Sequence, residues 1–339
     1  MQKLSSSYSN RLLCPIDTTQ TDLFLSLVDY RNNYFTSNDP NKIIDFYNGF
    51  KNRDQLIQWM KERPKGVANI QEVDGDKDII VVITTGDFNG KYARECRENI
   101  FKGLHIVFVE SGGRGDFYFN SAYNINVGVK KAMEYNPKWV IYSGDDMIKV
   151  DPISKLVNEL EKIDYKNTYA VFTHPARYHS APMFLGRPNL FFIFALKVLY
   201  VFSKRFSYIE KTYFQLRRFN KQLFFPRYIY SPTLSYKIVN FFFFKKIETF
   251  NNTLSFGIFS SNFVRTSGGS LFDDNYINEM EDTDLSMRLK YMKHKTSIID
   301  FEINEYVGST IGNGGVRTLK VVPGWTYFYY KMDNGGFKK

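Results

Sequence analysis

From residue 78 onward the apolar positions of the chain fall into two alternating patterns. Residues 79–83 are an unbroken β-branched run, which predicts a strand buried on both faces of a parallel sheet. The run stops at the polar loop Thr84-Thr85-Gly86-Asp87. Residues 92–100 suit a crossover helix, and 104–109 form a second apolar run that closes on Glu110-Ser111-Gly112-Gly113. Ile125, Val129, Ala132 and Met133 then recur at helical spacing. A third strand is predicted over 139–142, running into Ser143-Gly144-Asp145-Asp146. Asp151 and Pro152 have the types of a helix cap and a first helical residue. After them Ile153, Leu156, Val157, Leu160 and Ile163 give the helix one apolar face.

Strand and helix alternating in this way predict an α/β fold, a three-layer α/β/α sandwich with a mostly parallel central sheet and right-handed crossovers. Ligands of such sheets bind beyond the carboxyl ends of the strands, and the three polar clusters fall at those ends. Residues 1–77 show helical patches, such as Leu56, Ile57, Trp59 and Met60, before the turn-rich Val73-Asp74-Gly75-Asp76. They read as an N-terminal helical extension. The expected division is then a first half over 78–182, an insertion over 183–250, and a second half with the C-terminal tail over 251–339.

Charge singles out the insertion. Of the 339 residues and their net +10, residues 183–246 hold twelve Lys/Arg against one acid, Glu210, a balance of +11 that leaves the remainder near neutral. The same stretch carries 20 Phe and Tyr. Basic and aromatic residues interleaved suit a membrane interface; they equally suit a core or a protein contact. The apolar stretch 189–202, interrupted by Lys197, is shorter than the roughly 20 residues a membrane span takes, so any membrane contact is expected to be peripheral. No RNP, KH or zinc pattern supports a nucleic-acid partner. Cys14 and Cys96 are the two cysteines, in no metal-binding or redox spacing, and the first ten residues lack the apolar run of a secretory signal, which together predict a cytoplasmic location. His105, His174 and His179 show no ligand spacing; His105 reads as structural, and His174, at the end of a strand, as a group that touches an acceptor at most.

Two acidic clusters carry candidate chemistry. Asp145 and Asp146 follow a buried strand, where oxygen ligands hold a divalent cation against a diphosphate; a solvated turn or a helix cap is the bland alternative, and Asp151 is the better cap. Downstream, residues 279–284 contain four acids in six positions, which either complement a helix dipole or work in a site. Gly268-Gly269-Ser270-Leu271-Phe272-Asp273-Asp274 precedes them, and Gly308 to Arg317 is a glycine-rich loop that either holds a diphosphate through its NH groups and guanidinium or is an ordinary flexible connection.

Taken in order, the strand ending in Thr84-Thr85, Val109-Glu110-Ser111-Gly112, Asn126-x-Gly128-Val129-x-x-Ala132, Asp145-Asp146, the Gly268 to Asp274 stretch and Glu281-Asp282-x-Asp284-Leu285-x-x-Arg288 resemble glycosyltransferase family 2, its rhamnosyltransferase-like members above all. The resemblance runs from 78 to about 310 and implies a GT-A type of fold. It also implies an inverting, Mn2+- or Mg2+-dependent transfer from a nucleotide-sugar to a glycan or lipid-linked acceptor. By the same resemblance Asp146 takes the metal, Asp145 faces ribose or sugar, and Thr84, Thr85, Glu110 and Asn126 line the nucleoside pocket. The resemblance implies Asp282 as the general base, and Arg317 of the glycine-rich loop is expected at the diphosphate. Gly144 stands where a fuller motif has Asp, Glu110 where Asp is usual, and the C-terminal loop lacks the His that many relatives carry. A catalytically idle GT-A-like protein that binds membrane or polymer through 183–246 is the alternative. Nucleotidyl transfer would want a basic glycine-rich loop after the first strand, and Thr84 to Phe88 supply none.

Overall fold

The structure is a computed structural model that describes residues 36–112, 115–173, 182–188, 191, 194, 198, 206–220, 244–253, 255–306 and 315–337. His174, His179, Cys14, most of the glycine-rich loop before Arg317 and much of 183–243 lie outside them. In chain order the elements that matter are α1 (Pro40–Asn48), α2 (Arg53–Glu62), β1 (Asn69–Val73), β2 (Asp76–Thr85), α3 (Lys91–Glu95, continued by a π turn Cys96–Ile100), β3 (Leu104–Glu110), α4 (Ser121–Ala132), β4 (Trp139–Gly144), β5 (Met147–Lys149), α5 (Ile153–Glu161) and β6 (Ala170–Thr173). After these come β7 (Pro182–Pro188), α6 (Phe206–Phe219), β8 (Phe244–Asn251), β9 (Phe256–Ser260), α7 (Ser261–Thr266), α8 (Glu281–Tyr291), β10 (Thr296–Ile299), β11 (Ile303–Glu305), α9 (Gly315–Lys320) and α10 (Val322–Asp333).

Seven strands form the central sheet in the order β1-β3-β2-β4-β9-β6-β10. β3, β2 and β4 run parallel, as do β6 and β10, while β9 is antiparallel to both β4 and β6, and β1 is antiparallel to β3 at the edge. Side-chain alternation divides the core in two. Ile80, Val82, Val107, Val109, Val140 and Tyr142 pack on one face with α1, α2, α4, α8 and α10; Ile79, Val81, Ile83, Ile106, Phe108 and Ile141 pack on the other with the α3 turn and α5. The predicted strands and the helices α3, α4 and α5 are present, and the sheet is mostly parallel with helices on both faces.

Three readings change. Residues from Pro40 onward are no appendage: Phe46, Phe50 and Trp59 meet edge to face, at centroid distances of 5.0–5.9 Å, inside the same core as the sheet, and β1 extends that sheet upstream of residue 78. Asp151 does not cap α5, whose N-cap is Pro152; its Oδ2 accepts from Glu302 N–H at 2.8 Å and from Lys155 at 3.0 Å. The insertion is partly built into the body. Leu216 and Phe219 of α6 are buried, Phe219 meets Tyr47 and Phe50, and Arg218 donates to Asn48 Oδ1 at the end of α1 and to Phe50 O just beyond it, both at 2.8 Å.

Candidate functional site

β2, β3 and β4 end side by side. Their register sets Thr85 opposite Glu110 and Thr84 opposite Gly144, so polar residues far apart in the chain share one rim. Thr85 donates its hydroxyl to Asp145 Oδ2 at 2.7 Å, and Cys96, presented by the π turn, sets its thiol 3.3 Å from the Asp145 carbonyl. Burial pushes the Asp145 carboxyl above its ordinary value, the neighbouring Asp146 adds to this, and Thr85 opposes it. Burial likewise raises the Cys96 thiol far out of the reactive range, with Asp145 and Asp146 contributing. Glu110 Oε2 accepts from Phe88 N–H at 2.9 Å, holding the loop after β2. Asp146 accepts from Tyr306 N–H at 2.8 Å through its carbonyl, which ties the rim to β11. A Cβ on Gly144 would come within 2.8 Å of Asp146 Oδ1, so glycine leaves room for that carboxylate to turn back over the strand end.

The second acidic cluster is joined to the same rim through β4. Tyr142 lies buried with its hydroxyl 2.5 Å from Thr253 Oγ1. Burial raises this phenol well above its ordinary value, and the charges of Asp282, Glu281 and Glu305 act on it in the same direction. The charges of three carboxyls from separate elements thus reach the phenol of Tyr142. Glu305, whose carboxylate accepts from Ser255, escaped the sequence reading; it lies on a three-residue strand with no pattern of its own.

α8 begins after Met280, which holds φ = +76°, a left-handed backbone rare for a side chain of that size. The first turn treats its acids differently. Asp282 Oδ1 accepts from Thr283 N–H at 2.6 Å and Thr283 Oγ1 at 3.2 Å; burial pushes Asp282 up to about 6 while these bonds and the Asn252 amide hold it down. Burial and then Asp282 push Glu281 up to about 8, and burial pushes Glu279 up to about 7 against the pull of Arg317. Asp284 is fully buried and paired: Tyr276 donates to it at 2.9 Å, Arg288 at 2.9 Å, and Lys331 lies 2.5 Å away. Lys331 also reaches Asp273 at 3.1 Å, and Tyr327 donates to the same oxygen at 2.9 Å.

Of the residues singled out from sequence, Thr84, Thr85, Glu110, Asp145 and Asp146 share the strand-end rim, Asp282 lies in the first turn of α8 with its charge acting on Tyr142 of β4, and Arg317, on α9, acts on Glu279 through its charge. Asn126 is drawn elsewhere: its amide donates to Phe272 O at 2.8 Å and accepts from Leu271 and Phe272 N–H at 3.1 and 3.0 Å, fastening α4 to the loop ahead of α8. Among the described residues no group of three or more His, Cys, Asp or Glu stands close enough to hold a metal ion by itself.

Fold and site together define an α/β protein with acidic residues gathered at the carboxyl ends of its parallel strands. No family model matches the chain, and no curated protein matches it.

Proposed function

We propose that this protein transfers a sugar, with inversion, from a nucleotide-diphosphate-sugar to a hydroxyl of a glycan or lipid-linked acceptor, on a GT-A type of fold. The observation that carries the reading is the strand-end rim, where Thr85 donates to Asp145 beside Asp146, together with Asp282 in the first turn of α8, whose charge acts on Tyr142 of the adjoining strand β4. Asp282, pushed up to about 6, is ionised at neutral pH yet keeps enough proton affinity to act as a general base. It takes the acceptor hydroxyl proton while that oxygen forms its bond to the anomeric carbon and the bond to the diphosphate breaks on the opposite face. Thr84, Thr85 and Glu110 line the donor side, Asp145 accepts from hydroxyls of ribose or sugar, and Arg317 balances diphosphate charge.

The strand-end donors fit Mn2+ or Mg2+. They are hard oxygens, and they are too few for a cage made by protein alone, which suits an ion that completes its shell with phosphate oxygens. Asp146 would hold that ion, which when bound supplies positive charge to the leaving diphosphate. The membrane-proximal acceptor belongs to the same reading: Phe191, Phe194, Val198 and Phe214 are exposed by 42–65% within the stretch that carries +11, a composition suited to an anionic leaflet.

Donor hydrolysis across UDP-, GDP- and dTDP-sugars, with and without Mn2+ or Mg2+, is the test. Metal-stimulated turnover of one donor is expected. Failure with every donor, together with retained vesicle binding, would favour the catalytically idle, membrane-binding alternative.

A further inference from the structure

Tyr92 on α3 and Tyr306 just after β11 are 41% and 53% exposed, the two tyrosines open to solvent among the described residues. They belong to elements far apart in the chain, yet their rings meet, with centroids 5.8 Å apart and planes tilted by 46°. Neither ring joins the core on either face of the sheet. Exposed rings scattered singly need no account. Two that converge from separate elements beside a candidate site do.

The backbone fixes where the pair stands. Tyr306 N–H donates to Asp146 O at 2.8 Å, one residue beyond the pairing of Glu305 with Met147. Tyr92 lies one helical turn before Cys96, whose N–H donates to Tyr92 O and whose thiol is 3.3 Å from Asp145 O. The two rings are thereby attached to successive residues of the strand-end rim. Donors of that rim are already engaged within it: the Thr85 hydroxyl bonds Asp145 at 2.7 Å and Phe88 N–H bonds Glu110 at 2.9 Å. A carboxylate has about four acceptor sites, so Asp145 and Glu110, both partly exposed, keep capacity to accept from a ligand. The matching ligand has an apolar ring face and several hydroxyl donors at its edge. A pyranose has both, C–H groups on a face and hydroxyls around it.

We propose that Tyr92 and Tyr306 form an aromatic shelf on which an uncharged pyranose stacks through its C–H face while its hydroxyls donate to the carboxylates of the strand-end rim. The proposal rests on the glycosyl-transfer reading above and adds to it the surface that holds a sugar ring. Tyrosine suits the task, because it presents a large rigid apolar face with only two side-chain torsions to fix and keeps its hydroxyl wet at the edge. Planes tilted by 46° do not make the flat surface on which a planar base stacks; a puckered ring does not need one.

The test uses the full chain and needs no turnover. Methyl glucoside, galactoside, mannoside and rhamnoside are titrated by saturation-transfer-difference NMR, with uridine and guanosine for comparison. At least one glycoside is expected to bind, with the strongest transfer to the protons of its apolar face. Tyr92→Ala and Tyr306→Ala are each expected to weaken it about 10-fold, the scale of a lost aromatic stack. Tyr92→Phe and Tyr306→Phe keep the ring and should stay within about 2-fold. Both positions are exposed, so the Tm of all four variants should match the wild type. Where a donor is turned over, a raised donor KM in the alanine variants puts the donor's sugar on the shelf, and a raised acceptor KM the acceptor's. The proposal is overturned if no glycoside binds, if binding survives both alanine substitutions, if those substitutions weaken only the nucleosides, or if both lower the Tm and so make the pair structural; donor hydrolysis in the same preparation keeps the transferase reading alive. Glycoside binding that the alanine variants weaken, in a protein that hydrolyses no donor, keeps the shelf and removes the transferase.

Discussion

Asp282 and Asp284 are two positions apart, identical in type, and opposite in consequence. Asp282→Asn keeps one acceptor oxygen for the bonds from Thr283 and removes the ability to take a proton, so turnover should fall by roughly 10²–10⁴-fold with donor affinity unchanged by calorimetry. In the wild type, kcat/KM should rise with pH through about 6, where Asp282 ionises. The same residues make stability depend on pH. Glu279, Glu281 and Asp282 all have folded-state values raised above ordinary carboxyls, so the folded protein keeps protons that the unfolded chain has released. Their contribution is complete below about pH 4 and is lost as pH rises through the values to which the three are raised, about 6 to 8. Denaturant unfolding should therefore show stability declining from about pH 5 to 8, by up to about 1.4 kcal/mol per pH unit for each titrating group. Glu281→Gln should flatten the upper part of that decline.

Among the elements, α8 is positioned by what lies beneath it. Asp284, Arg288, Lys331 and Asp273 form a buried ionic network that ties α8 to α10 and to the loop ahead of α8. Removing one partner strands the others in the interior, so Asp284→Asn should cost about 3–5 kcal/mol in denaturant unfolding, in contrast to the catalytic defect expected of Asp282→Asn. α4 is set against the sheet at Gly128, where a Cβ would run into Val82 Cγ1 and come within 2.7 Å of Val109 Cγ2. The element itself was legible from the spacing of Ile125, Val129 and Ala132. The reason for glycine, and the turning of Asn126 toward Leu271 and Phe272, were not, because both depend on segments that meet only after folding.

At the scale of the whole molecule, the N-terminal helices close the core beneath α10 and α6. Phe46→Ala should cost about 3–5 kcal/mol by thermal or denaturant unfolding, the usual penalty for emptying a buried aromatic site; a dispensable extension would show no such loss. The described part of the insertion divides its labour, with Leu216 and Phe219 facing inward and Phe214 facing out. Membrane docking through this segment should appear as co-flotation with anionic vesicles at low salt that weakens as salt rises, since attraction to a charged leaflet decays within a Debye length of about 10 Å at 0.1 M. Arg218, already engaged at the end of α1, should contribute less to that binding than the exposed Arg217.

By itself the sequence determined the strands β2, β3 and β4, the helices between them and the rim formed at their carboxyl ends. Period-two and helical patterns are local, and a parallel sheet brings its strand ends together whatever the rest of the chain does. Which acid has its proton affinity raised and which is held as a structural ion was decided only by the tertiary structure. Asp282 owes its raised value to burial and its restraint to Thr283 and Asn252, Asp284 owes its pairing to Lys331 on a different helix, and Glu305 comes to Tyr142 from β11. Desolvation and long-range pairing are properties of the packed interior. Four acids in six residues read alike along the chain until that packing gives each its own surroundings.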